Sequence, residues 1–187
     1  MPLARGLVQI YTGDGKGKTT AALGLALRAV GHRLRVCFIQ FMKGEWDLGE
    51  RRAAGRLSPE LEIHYFAPRD WGNHSEAAEG TAWWQLPPSD DDRAKAQEGL
   101  AFATQALASG NYDIVILDEV FPALSYQLIS LDQIMSLICA RPPQVELVLT
   151  GRGAPAEVIA AADLVTDMKV VKHPYDRGVR AREGIEY

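Results

Sequence analysis

The amino-acid sequence predicts a doubly wound α/β fold on a mostly parallel sheet, and three observations predict it. Short runs rich in Val, Ile and Leu alternate with longer segments whose apolar residues recur at helical spacing. Within the runs, apolar residues stand at consecutive positions, which suits strands covered on both faces by helices. A glycine-rich turn joins the first run directly to the first helical segment.

The elements follow in order. Leu7–Tyr11, Arg35–Phe41, Leu61–Phe66, Ile114–Leu117, Val145–Thr150 and Leu164–Val171 are expected to be strands. Thr19–Val30 carries Ala22, Leu25, Ala26 and Ala29 on one face, and Gly31 stands where a C-terminal cap is expected. Asp91–Ser109 repeats the pattern with Ala96, Leu100, Ala103 and Leu107 and is closed by Gly110. Ser130 and Gln133 make a capping box ahead of Ile134, Leu137 and Ile138, and Pro155 is expected to be the first residue of a further helix. One stretch breaks the rhythm, because Ala67–Ser89 holds Pro68, Trp71, Gly72, Gly80, Trp83, Trp84, Pro87 and Pro88 without either period. Loops of this length are usually functional or disordered, and tryptophans favour order; simple packing over a sheet edge is the plainer alternative.

Composition bounds the function. A chain of 187 residues with 47% hydrophobic content supports one core, so a single domain over residues 1–187 is expected. A net charge of −4 provides no overall field to draw the chain onto nucleic acid or an anionic membrane, so any phosphate site must be local. Apolar stretches such as Ile114–Leu117 and Val145–Leu149 are far too short to cross a bilayer, and Met1–Gly6 has no signal-peptide core. A cytoplasmic protein is expected, with Cys37 and Cys139 as buried reduced thiols.

The residues that carry chemistry begin at the glycine-rich turn, Thr12–Gly13–Asp14–Gly15–Lys16–Gly17–Lys18–Thr19–Thr20. Glycines let backbone N–H groups turn inward around a polyphosphate, and the helix N-terminus adds its positive end. Lys18 is expected to neutralise phosphate oxygens and Thr19 to ligate Mg²⁺, although Thr12 stands where the motif usually has its first glycine. The strand Ile114–Leu117 ends in Asp118 and Glu119. In open parallel sheets ligands bind beyond the carboxyl ends of strands, so these acids are expected on the P-loop rim, completing a metal site with Thr19. Arg152, after Val148–Leu149–Thr150–Gly151, stands at another carboxyl end, where it could reach phosphate or simply turn at the surface. Lys172–His173–Pro174–Tyr175 and Gly184–Ile185–Glu186–Tyr187 read physically as ordinary extended tail. These motifs define a nucleotide site without defining a reaction. A kinase or phosphohydrolase splitting the β–γ bond, and a non-catalytic nucleotide sensor, both remain open at this point.

The opening run Tyr11–Thr20 with Leu27–Arg28–Ala29 and Gly31–His32 resembles that of the ATP:corrinoid adenosyltransferases of the CobA/CobO (BtuR) type. So do Gln40–Phe41–Met42–Lys43–Gly44, Leu117–Asp118–Glu119, Thr150–Gly151–Arg152, Ala162–Asp163–Leu164–Val165–Thr166 and the closing Gly184–Ile185–Glu186–Tyr187. The resemblance implies a RecA-like homodimer that transfers the 5′-deoxyadenosyl group of ATP to the cobalt of a reduced corrinoid and releases tripolyphosphate. It implies ATP and corrinoid as substrates, Mg²⁺ or Mn²⁺ as the metal, and a possible reductant protein as partner. Lys18 and Glu119 are the implied catalytic residues; Gly13, Asp14, Gly15, Lys16, Gly17, Lys18, Thr19, Thr20 and Arg152 are the implied nucleotide contacts. A glycine-aromatic-threonine-tryptophan stretch that displaces the corrinoid's lower ligand corresponds to Gly80–Thr81–Ala82–Trp83, with Trp83 kept and Thr81 in the aromatic place. Relatives of the CobA kind also carry a longer segment before the first strand that covers the site, whereas this chain has only Met1–Gly6 there, so the resemblance does not extend to such a lid.

Overall fold

The computed structural model describes residues 3–44, 48–67 and 87–186. Its strands are β1 (Val8–Thr12), β2 (Val36–Phe41), β3 (Leu61–Phe66), β4 (Ile114–Asp118), β5 (Glu146–Thr150) and β6 (Leu164–Asp167). Its helices are α1 (Lys18–Gly31), α2 (Gly49–Ala54), α3 (Asp90–Ala108), α4 (Val120–Ser125), α5 (Leu131–Ala140) and α6 (Ala156–Ala161), followed by a 3₁₀ turn at Pro174–Arg177. The strands form one sheet in the order β3-β2-β4-β5-β1-β6, and every pairing is parallel.

Period-two alternation sorts the strand residues between two helical layers. Val36, Phe38, Ile114, Ile116 and Val148 meet Ala22, Ala26 and Ala29 of α1 and Ala54 of α2 on one face. Cys37, Ile39, Phe41, Val115, Leu117, Leu147 and Leu149 meet α3, α4, α5 and Val158 of α6 on the other. The consecutive apolar runs therefore belong to β2, β4 and β5, each buried along its whole length. Alanines on α1 let that helix sit close to the sheet, and its path over the sheet decides what its N-terminus can reach.

Several boundaries depart from expectation for identifiable reasons. The last strand ends at Asp167 rather than Val171, because after the Met168 N–H donates to the Thr12 carbonyl (2.9 Å) β1 has ended and no ladder remains. Helix α1 runs through Gly31, and the left-handed residue behind it is Arg33 at φ 60°, not Gly31. Gly110, by contrast, takes φ 69° after α3 as a helix-closing glycine should. Pro155 is the N-cap of α6, one residue ahead of the helix. Ser130 and Gln133 form their capping box as expected, and Ser89 with Asp92 forms a second one that starts α3 at Asp90. Cys37 is buried, whereas Cys139 is exposed, which corrects the expectation of two buried thiols: α5 turns that position away from the apolar stripe of Ile134, Leu137 and Ile138. Both cysteines are free. Among the described residues, no helix is long and apolar enough to cross a membrane.

Candidate nucleotide site

The sheet order places β5 between β1, which feeds the glycine-rich turn, and β4, which ends in the acids. Helix α1 closes that gap. It leaves the turn after β1 and lies over β5 and β4, so Thr19 in its first turn donates to Asp118 Oδ1 at 2.9 Å. Asp118 is fully buried, and the same Oδ1 accepts the Thr150 hydroxyl from the end of β5 at 2.6 Å. The Thr150 oxygen in turn accepts the Glu119 N–H at 3.1 Å. Two strand ends and the first turn of α1 are thus joined through one carboxylate.

Backbone conformation shapes the loop. Gly13 and Gly17 take φ 92° and 120°, values that side chains with a Cβ rarely adopt. Gly17 is the N-cap of α1 and has no side chain to occupy the first-turn amides, in contrast to the boxed starts of α3 and α5. Thr12 explains its own departure from the motif: it is the last residue of β1, and its hydroxyl accepts the Ala154 N–H at 3.3 Å. The left-handed turn simply starts at Gly13. Lys18 is 7% exposed and its ammonium spans the loop, donating to the carbonyls of Gly13 (2.7 Å) and Gly15 (2.8 Å). Burial lowers its pKa, partly offset by Glu119.

Glu119 is a non-glycine residue at φ 60°, ψ 30° between β4 and α4. Such backbone costs on the order of 1 kcal/mol and is typical of functional turns. Burial first, and the Asp118 charge second, push its carboxyl pKa up. The pair therefore favours a cation.

An open cleft of about 840 Å³ lies over these groups. Gly15 to Thr20, Glu119 and Arg152 line it, while Asp118 is buried beneath and Gly13 and the exposed Asp14 stand outside the lining. The other expected nucleotide and metal residues among the described ones are brought together there. Trp83 lies outside the described residues, as do Thr81 and most of the Ala67–Ser89 stretch.

Sequence reading missed three contributors. Lys43, just beyond β2, donates to Asp118 Oδ2 at 2.8 Å. Its signal was a lysine at a strand's carboxyl end, preceded by Gln40, a fully buried amide inside an apolar strand. Gln40 carries its own network: its carbonyl accepts Arg51 Nε at 2.8 Å, and Arg51 stacks on Tyr65 at 3.9 Å. The tail is the third contributor. Met168 accepts the Gly15 N–H at 2.6 Å, Lys16 donates to the Ile185 carbonyl at 3.3 Å and pairs with Glu186 at 3.6 Å, and His173 and Glu186 line the cleft. What reads as ordinary tail returns across the glycine-rich loop.

A Lys–Thr loop facing an acidic strand end across one intervening strand defines a P-loop nucleotide-binding protein of RecA-like fold. Solved structures agree on that fold: a KaiC-like protein from Pyrococcus horikoshii OT3 has a TM-score of 0.56 at 15% identity, covering 87% of this chain and 73% of that one. The flagellar accessory protein FlaH from Methanocaldococcus jannaschii has 0.54 at 14% identity, covering 88% and 71%. The particular family is narrower. Residues 4–187 match the model of the ATP:corrinoid adenosyltransferase family BtuR/CobO/CobP, and the chain belongs to that family. Among its relatives, the corrinoid adenosyltransferase of Escherichia coli K12 is 36% identical over 98% of this chain and 86% of its own length. The Pseudomonas aeruginosa PAO1 enzyme is 36% identical over 98% and 84%, and corrinoid adenosyltransferase CobA of Salmonella typhimurium LT2 36% over 98% and 86%.

Proposed function

We propose that this chain transfers the 5′-deoxyadenosyl group of ATP to the cobalt of a cob(I) corrinoid. The cobalt lone pair attacks the ribose C5′, the C5′–O bond breaks, and tripolyphosphate leaves with the bonding electrons. The supporting observation is a glycine-rich loop whose cations and helix N-terminus face one open cleft, in a chain of this family.

The residues have separable tasks. Lys18 and the first-turn amides of α1 bind the triphosphate and stabilise the charge it gains on leaving, which requires no general base. The present bonds from Lys18 to Gly13 and Gly15 hold the ammonium at the loop, where phosphate oxygens replace the two carbonyls. Arg152 and Lys16 add cationic contacts from the rim, and Gly13, Asp14, Gly15, Gly17 and Thr20 complete the loop around the phosphates. Thr19, Asp118 and Glu119 would hold Mg²⁺ or Mn²⁺. The donor set fits: two adjacent carboxylates and a hydroxyl already bonded to one of them are hard oxygen donors, and Mg²⁺ takes one or two carboxylates with phosphate oxygens and water supplying the rest. When bound, the metal neutralises triphosphate charge. Glu119 would act through that metal, keeping it and the nucleotide in place. Trp83, matching the family's tryptophan, is proposed to pack against the corrin and exclude its lower ligand.

A cytoplasmic homodimer served by a reductant protein is part of this proposal. The exposed edge strand β6, with Leu164 and Val165 about two-fifths exposed, leaves apolar surface for a second copy. The test is the fate of adenine-labelled ATP incubated with the protein, Mg²⁺ and cob(I)alamin. Label carried into the corrinoid supports the proposal; label recovered as ADP assigns β–γ cleavage instead.

A further inference from the structure

The cation held closest to the buried acid is not on the glycine-rich loop. Lys43 Nζ sits 2.8 Å from Asp118 Oδ2 and 3.9 Å from Glu50, with the lysine side chain 17% exposed and the aspartate fully buried. Both Asp118 oxygens are engaged, Oδ1 by two hydroxyls and Oδ2 by this ammonium. The backbone beneath the lysine is pinned, since Arg51 donates to the Lys43 carbonyl at 3.2 Å and to the Gly44 carbonyl at 2.7 Å. Met42, beside it, takes φ 55°. The side chain thus turns on a fixed pivot, and it lines the same cleft as Gly15 to Thr20.

We infer that Lys43 is a positioning residue: its ammonium holds Asp118 in the metal-free site, yields that carboxylate to the metal, and moves onto the bound polyphosphate. Two cations on one buried carboxylate repel, so a metal ion that takes Asp118 displaces the lysine. The long flexible stem lets the ammonium follow the new negative charge without backbone movement. Metal and polyphosphate affinities are therefore coupled through this side chain. The inference rests on the reading that a metal–triphosphate occupies this cleft.

Calorimetric titrations with Mg²⁺ alone, tripolyphosphate alone and both together test it on wild type, Lys43→Met and Lys43→Arg. In the Met variant Mg²⁺ alone binds roughly tenfold more tightly and tripolyphosphate alone roughly tenfold more weakly, the scale of one charge-assisted contact. The metal-free thermal midpoint also falls, and Lys43→Arg restores the midpoint and the tripolyphosphate affinity. If Lys43→Met does not fold, Lys43→Gln, which keeps a neutral donor for Asp118, carries the same titrations. Equal Mg²⁺ and tripolyphosphate affinities in wild type and the uncharged variant overturn the assignment. Lys43-dependent coupling in a protein that forms no cobalt–carbon product would instead overturn the proposed reaction and leave Lys43 in its role.

Discussion

Replacing Lys18 with alanine separates the role of the loop in catalysis from its role in the fold. The ammonium makes two bonds, to the carbonyls of Gly13 and Gly15, at 2.7 and 2.8 Å. Hydrogen bonds from a charged group are each worth about 1.5–3 kcal/mol, but burial already disfavours the lysine charge, as its lowered pKa reports. The two effects oppose, so the net stability loss is about 1–2 kcal/mol, a fall in Tm of a few degrees for a chain of this size. The effect on the barrier is larger, because Lys18 is the buried ammonium at the junction of loop and α1, whereas Lys16 and Arg152 are exposed. Loss of one strong donor to a developing oxyanion costs about 3–4 kcal/mol, or roughly 100–1,000-fold in turnover. The assay is single-turnover adenosyl transfer with prereduced cobalamin, run beside thermal unfolding. Near-normal turnover would remove the loop from the mechanism; activity lost only in step with the unfolded fraction would make Lys18 purely structural.

Three further outcomes follow from the same geometry. Asp118→Asn keeps the shape but removes the charge that Thr19, Thr150 and Lys43 address, so the Mg²⁺ needed for half-maximal ATP binding rises at least about tenfold; an unchanged metal dependence removes Asp118 from the metal site. Trp83→Ala is expected to spare activity with cob(I)alamin while activity starting from cob(II)alamin collapses, whereas equal loss in both assays with a lower Tm indicates a packing role. Far from the cleft, the Tyr112 hydroxyl donates to Glu62 at 2.7 Å and is the largest cause holding that carboxyl below the usual glutamate range. A depressed carboxylate pKa contributes stability that is present above the unfolded value and lost as pH falls through the folded one. Tyr112→Phe therefore lowers unfolding stability by about 1 kcal/mol near neutral pH, with a difference that shrinks on acidification; a pH-independent difference would refute the linkage.

The strands and long helices were legible because burial acts on them residue by residue. Consecutive apolar positions in β2, β4 and β5 reflect helices on both faces, and the alanine stripe of α1 reflects close approach to the sheet. The glycine-rich loop and the Asp118–Glu119 pair were legible because short-range chemistry dictates residue type at those turns. Short helices were not: α2 and α4 span six residues each, too few for a period to emerge, and are set by the strand ends that precede them. Lys43, Thr150, His173 and Glu186 were hidden for another reason. Each acquires its place through tertiary proximity, across sequence separations such as the 75 residues between Lys43 and Asp118, so a local cue such as the strand end before Lys43 does not say what the side chain meets. Average cysteine preference places Cys139 inside, whereas its phase on α5 places it outside.

In the proposed reaction the bond broken in ATP is C5′–O, and cobalt receives the carbon. The most direct measurement incubates the protein anaerobically with ATP, Mg²⁺ and chemically reduced cobalamin, following the corrinoid's visible spectrum while phosphorus-containing products are separated. A light-sensitive cobalt–carbon product and tripolyphosphate are expected in equal amounts, both lost in Lys18→Ala. Release of ADP or orthophosphate with an unchanged corrinoid spectrum would contradict that reaction.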